Sequence, residues 1–227
     1  MDRLRKKRGF TLIELMVALG VIAILSVTVI LVINPVNLLK EGRDSQRIAD
    51  LAQMNRAMSL YIANVGSFPS TLSCPSSGTG SCYVGLPVGM SMVTGAPAAL
   101  IPRCGQRYKS TQNPATATSA SQVITGTGWI PVNLTDISVG VPIVQWPMDP
   151  KTLVLGNGST TNPQAFLDTS YYYSFACYNN SWEFTANMEA PRYSGSSTAP
   201  TYGTDMVEEN DDGTDFRLLE VGTNVGL

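Results

Sequence analysis

Residues 5–25 read RKKRGFTLIELMVALGVIAIL, and in them a single carboxylate, Glu14, stands near the head of an apolar run just behind a cluster of cations. An ionised carboxylate at the centre of a bilayer costs about 3 kcal/mol and less near the edge, so an acid in such a place is read first as functional, with a partner to be named. The cations Arg3, Arg5, Lys6, Lys7 and Arg8 lie on the wrong side of the interface to serve. A cut between Gly9 and Phe10 would supply one. It exposes an α-amino group four residues before Glu14 in an apolar setting, where it can neutralise the acid of a neighbouring copy and set the axial register of packed helices.

Little else in the chain suggests chemistry. The 227 residues include no histidine, which removes Ser-His-Asp and Cys-His nucleophile systems and histidine metal sites. No Ser-x-x-Lys, Walker A or GxGxxG pattern occurs, and an enzyme is not expected. Four cysteines, Cys74, Cys82, Cys104 and Cys177, are spaced too widely for paired zinc ligands and suit disulfides. Three pairings are open; the favoured one joins Cys74 to Cys82 and Cys104 to Cys177. The acidic stretch EENDDGTDF at 208–216 carries hard oxygen ligands around a glycine turn, although Leu219 stands where an EF-hand would close with glutamate. Calcium at Asp205, Asp211, Asp212 and Asp215 is set beside the reading of a solvated acidic loop. No cofactor is required.

These residues need a helix to hold them. From Leu15 to Ile33 no residue is charged, and 19 residues rising ~1.5 Å each span roughly 28 Å, one hydrocarbon core. The cationic bias before the span predicts a cytoplasmic N-terminus and an exported remainder. A cleaved signal peptide has a shorter apolar core and a small-residue cleavage site, which fits this run poorly.

Arg8 to Leu25, RGFTLIELMVALGVIAIL, resembles the N-terminal signature of type IV prepilins and of the related pseudopilins of type II secretion systems. The resemblance implies cleavage after Gly9 by a membrane-embedded prepilin peptidase, N-methylation of Phe10, and use of Glu14 in ordered addition of subunits to a filament. The implied partners are that peptidase, identical or related pilin subunits, and an inner-membrane assembly platform with its ATPase. The head would sit outside the membrane, then in a cell-surface or periplasmic filament. WPMDP at 146–150 resembles the WPxDP element of major pseudopilins, although Lys151-Thr152 replaces the usual Trp-Gly. Those pseudopilins also carry a C-terminal calcium site. The alternatives are a secretion pseudopilin or a monomeric, membrane-anchored binding module. Loss of residues 1–9 leaves 10 basic and 16 acidic side chains, so broad nucleic-acid binding is not expected despite Arg103, Arg107 and Lys109.

The expected fold is α+β and pilin-like, a long kinked N-terminal helix packed on a C-terminal antiparallel sheet with long disulfide-bearing loops. The divisions are a leader at 1–9, a membrane and filament-core helix at 10–34, an amphipathic helix at 35–65, a variable loop region at 66–128 and a sheet head at 129–227. Pro35 is expected to kink one bent helix of about 55 residues, a proline lacking a donor for the turn before it. Ile48, Leu51, Met58, Ile62 and Val65 form a stripe needing a sheet to cover it, with charges on the other face. The pairs Lys40 with Asp44 and Arg47 with Asp50 read as surface ion pairs.

The stretch 110–122, STQNPATATSASQ, offers almost nothing to bury and reads as loop. Strands are expected at 129–134, 141–146, 170–178, 181–189 and 215–221, with a two-residue hairpin turn at Asn179-Asn180. The hairpin's aromatics read as core and cross-strand packing. Asparagine triplets at 133–135, 157–159 and 179–181 fit the glycosylation pattern.

Overall fold

A computed structural model describes residues 9–72, 74, 81–87, 115–152, 171–193 and 218–223, and the chain divides into two compact units, Met1–Lys40 and Glu41–Leu227. In the first, helix α1 spans Leu12–Ile33. Its Leu12–Val29 window has a mean hydropathy of 2.5, and none of its residues is buried among the described residues. The two hydroxyls of α1, Ser26 and Thr28, donate back to the carbonyls of Ile22 and Leu25 at 2.8 Å each. Such internal satisfaction is what a polar group needs where no water can reach it.

Helix α1 stops at Asn34, whose φ of 46° and ψ of 77° are left-handed, and Pro35 opens helix α2, Pro35–Val65. Sequence suggested one bent helix; the chain instead forms two, interrupted at a single residue. Proline disfavours the right-handed conformation in the residue before it, asparagine tolerates the left-handed one, and proline suits the first helical position.

Within the second unit, α2 continues from Glu41 and ends at Gly66, whose φ of 89° only glycine adopts without strain. Its buried residues are Asp44, Arg47, Leu51, Met54, Ala57, Met58 and Tyr61. The apolar part of this set shares one core with a five-stranded sheet. The strands are β1 (Ser81–Gly85), β2 (Ala115–Ser119), β3 (Tyr173–Tyr178), β4 (Ser181–Asn187) and β5 (Leu218–Gly222), in the order β2-β1-β3-β4-β5. From β1 to β5 neighbours run antiparallel, and β2 adds a parallel edge on β1. The expected α+β class, a helix over an antiparallel sheet with a disulfide, is what the structure has.

Strand alternation divides the side chains. Tyr173, Phe175 and Cys177 of β3, with Trp182, Phe184 and Ala186 of β4, join the core that holds α2's apolar residues. Ser174, Glu183, Thr185 and Glu220 alternate onto the opposite face, also buried, where the hydroxyls of Ser174 and Thr185 meet across β3 and β4. The hairpin aromatics are core, as expected: Phe175 lies 5.1 Å from Phe184, and Phe68 packs edge-on to Phe175 and Trp182. Tyr178 pairs with Ser181 around Asn179-Asn180, and positive φ is needed only at Asn179.

Two strand expectations and one loop expectation were placed wrongly. Residues 129–134 and 141–146 form no ladder; the first ends in an isolated bridge from Asn133 to Thr125 and a 3-10 turn at Leu134–Asp136. Pro131 and Pro142 each remove a ladder donor. The region 66–128, read as loop, instead contains β1 and β2. Ala115–Ser119 needs no apolar content, because an edge strand is held by its backbone bonds to β1.

Candidate processing and assembly site

The segment from Gly9 to Glu14 runs from irregular backbone into a helix. Gly9, Phe10 and Thr11 precede α1 and are exposed, Phe10 at 84 %. Thr11 caps the helix in an extended conformation, its hydroxyl accepting from the Glu14 backbone N–H at 3.3 Å. Thr11-Leu12-Ile13-Glu14 thus has the spacing of a capping box, and Glu14 sits in the first turn, where the helix dipole favours a negative charge. The Gly9-Phe10 peptide stands outside the helix, and both of its residues are exposed. A side chain built at Gly9 would meet nothing within 4 Å among the described residues, so packing within the chain does not demand glycine there. Residues 1–8 of the leader lie outside the described residues.

The second unit holds a charge cluster that sequence reasoning misplaced. Asp44 and Arg47 are fully buried on the packed side of α2, not on its outer face. Nor does Arg47 pair with Asp50. It makes a bidentate fork to Asp149 of the WPMDP segment, Nε to Oδ2 at 2.7 Å and Nη2 to Oδ1 at 2.8 Å, and also donates to Asp44 at 2.6 Å and Glu189 at 2.8 Å. Glu189, just past β4, further accepts two bonds from Arg43 at 2.7 and 2.8 Å and one from Lys151 Nζ at 2.9 Å. Asp44, in turn, accepts from the backbone N–H groups of Glu189 and Ala190. Arg43, Arg47 and Lys151 balance Asp44, Asp149 and Glu189, so the cluster is neutral by formal charge. The rings and cations also stack: Tyr171 lies 4.9 Å from the Arg47 guanidinium and 4.1 Å from Lys151 Nζ.

Desolvation and pairing compete here. Burial pushes the Asp44 carboxyl up against the pull of its hydrogen bonds. At Glu189 burial acts in the same sense, but the bonds from Arg43, Lys151 and Arg47 outweigh it and hold the acid down at about 2. Burial works to lower Arg47, yet Asp149 and the other acids raise it above its ordinary value. The arrangement fastens three segments, α2, the WPMDP segment and the chain after β4. One signal in the sequence could have found it: the i,i+3 spacing of Asp44 and Arg47 places both on the same helical face as Leu51, the face that a sheet must cover.

Asp50 instead accepts a bond from the buried Tyr173 hydroxyl at 2.8 Å. The favoured disulfide pairings are both overturned: Cys74 is bonded to Cys177, with Cα atoms 5.0 Å apart, tying the end of the α2 connection to β3. Register explains why, since Cys177 faces the α2-side core while Cys82 alternates onto the other side of the sheet. Cys82 is itself disulfide-bonded, and Cys104 lies outside the described residues. Asp205, Asp211, Asp212 and Asp215, the calcium expectation, also lie outside them, as do Arg103, Arg107, Lys109 and the triplet at 157–159. Asn133 uses its side chain locally, accepting from Thr135 and donating to Asp136 at 2.8 Å.

Comparison with known proteins converges on the N-terminal segment. No curated protein and no solved structure matches the chain. Residues 4–30 match the family described as prokaryotic N-terminal methylation motif, a stretch that contains Gly9, Phe10, Thr11 and Glu14. With its exposed Gly9-Phe10 peptide, capped apolar helix and first-turn glutamate, the chain carries the type IV prepilin and pseudopilin signature.

Proposed function

We propose that this protein is a structural subunit of a type IV pilus-like filament, cleaved after Gly9, N-methylated at Phe10 and polymerised through α1. The observation that carries this reading is α1 itself, an apolar helix that nothing among the described residues covers, headed by one carboxylate and preceded by an exposed Gly9-Phe10 peptide. Lipid covers such a helix before assembly, and copies of the same helix cover it afterwards. In that dry setting Glu14 needs a cation, and the amine released at Phe10 of a neighbour provides it. The motif points to a structural subunit rather than an enzyme and implies processing by prepilin peptidase and assembly with pilin subunits. An inner-membrane platform with its ATPase, a cytoplasmic leader and an exported head complete the reading.

Mass spectrometry of the membrane-derived chain should find N-methyl-Phe10 at the start; Met1 retained there overturns the proposal. Glu14→Ala and Glu14→Leu chains should be processed but should not accumulate as filaments, and unchanged filament abundance in both would remove the register role. The WPMDP segment, whose Asp149 anchors Arg47, favours a second reading as a secretion pseudopilin. Deleting the chain then abolishes export of secreted proteins rather than surface fibres.

A further inference from the structure

Asp50, on α2 of the second unit, differs from the buried carboxylates around Arg47 in what it lacks. Asp44, Asp149 and Glu189 are each in ion-pair contact with Arg47. Asp50 accepts a hydrogen bond from Tyr173, but no cation among the described residues lies in ion-pair contact with it. It is half-buried in an open groove of about 560 Å³, where Gln46, Asp50 and Gln53 of α2 face Pro142, Val144 and Met148. Val144 is 92 % exposed. An acid between carboxamides and an apolar wall suits a cation on an aliphatic stem, whose methylenes pack while its head pairs with the acid.

The same helix offers such a cation. Arg56 is exposed, and no side-chain partner for it is found among the described residues. Six residues beyond Asp50, it points about 120° away from it around α2 and does not line the groove of its own chain. We infer that the Asp50 groove receives Arg56 of a second copy of this chain. Because acid and arginine occupy different surfaces, the contact is head-to-tail, and a head-to-tail contact propagates into an open polymer unless it closes into a ring. This inference rests on the filament reading and adds a contact outside α1. It also sets a dimension: six residues at ~1.5 Å offset the two α2 helices by about 9 Å along their axes, where these run parallel.

The test uses full-length chains in membranes and filaments. Asp50→Cys and Arg56→Cys variants carrying different tags are co-expressed and treated with a short bis-maleimide. A mixed dimer is expected from this pair, and none from Arg56→Cys with itself. Asp50→Asn keeps an acceptor for Tyr173 while removing the charge, and should weaken assembly by about fivefold per contact, the upper range for an exposed ion pair. Pairing Asp50→Arg with Arg56→Asp should recover what either reversal loses. Retention of the Cys74–Cys177 bond and normal cleavage in each variant separate a lost contact from a lost fold. Co-assembled Asp50→Cys and Arg56→Cys chains that give no mixed dimer, or an Asp50→Asn chain that polymerises fully, overturn the contact while leaving the filament reading intact. Failure of the wild-type chain to polymerise overturns both.

Discussion

At the scale of single residues, the buried charges of the second unit decide more than their number suggests. Removing Arg47 would leave Asp44 and Asp149 without their main cation in a site where water cannot replace it. Arg47→Met in the detergent-solubilised chain should therefore cost about 3–5 kcal/mol in chemical unfolding. Arg47→Lys should also destabilise, because an ammonium cannot reproduce the bidentate fork to Asp149. The pH dependence follows from Glu189, whose folded value is lowered to about 2 from an ordinary 4.5. A lowered acid stabilises the fold above its unfolded value, and that contribution is lost as pH falls from about 4.5 to about 2. Asp44 is shifted the opposite way, so its contribution is present at acid pH and lost as pH rises through its raised value. The unfolding midpoint should fall across the Glu189 window, and Glu189→Gln should flatten it there; an unchanged slope would reassign the effect.

At the scale of elements, the break between the helices and the loop before the WPMDP segment carry separate predictions. Asn34 holds a left-handed conformation ahead of Pro35, so Asn34→Gly should be tolerated, whereas Asn34→Val should cost about 1–2 kcal/mol. Replacing both, with Asn34→Leu and Pro35→Ala, should let α1 and α2 fuse, read as a gain in helical circular dichroism. In the loop, a Cβ at Gly128 would lie 2.0 Å from the Val123 carbonyl oxygen and 2.8 Å from the Trp146 ring. Gly128→Ala should therefore lower stability by about 1–3 kcal/mol. Elements with strong local signals were legible before any coordinates. The hairpin of β3 and β4 was visible from alternating aromatics around Asn179-Asn180, and the end of α2 from Gly66. The strands β1 and β2 were not, because SCYVG and ATATS are short, and pairing with β3 creates them. The opposite error arose at 129–134, where Trp129, Ile130, Val132 and Leu134 are buried as a strand's would be, yet Pro131 denies the ladder.

At the scale of the whole molecule, the Cys74–Cys177 bond closes a separation of 103 residues, and its loss should cost a few kcal/mol. A Cys74→Ser, Cys177→Ser chain should unfold at lower denaturant while its N-terminus is still cleaved, because the processing segment lies in the other unit. What a reader of the residues alone could settle was one-dimensional: the apolar span, the place of Glu14 near its head, an irregularity at Asn34-Pro35 and the absence of histidine. These depend on composition and on neighbours a few positions away. Only folding chose the disulfide partner of Cys74, turned Asp44 and Arg47 inward to meet Asp149 and Glu189, and left Asp50 in an open groove with no cation paired to it among the described residues. Such outcomes join residues about 100 to 145 positions apart, and their energies depend on which face each side chain takes once the sheet has formed.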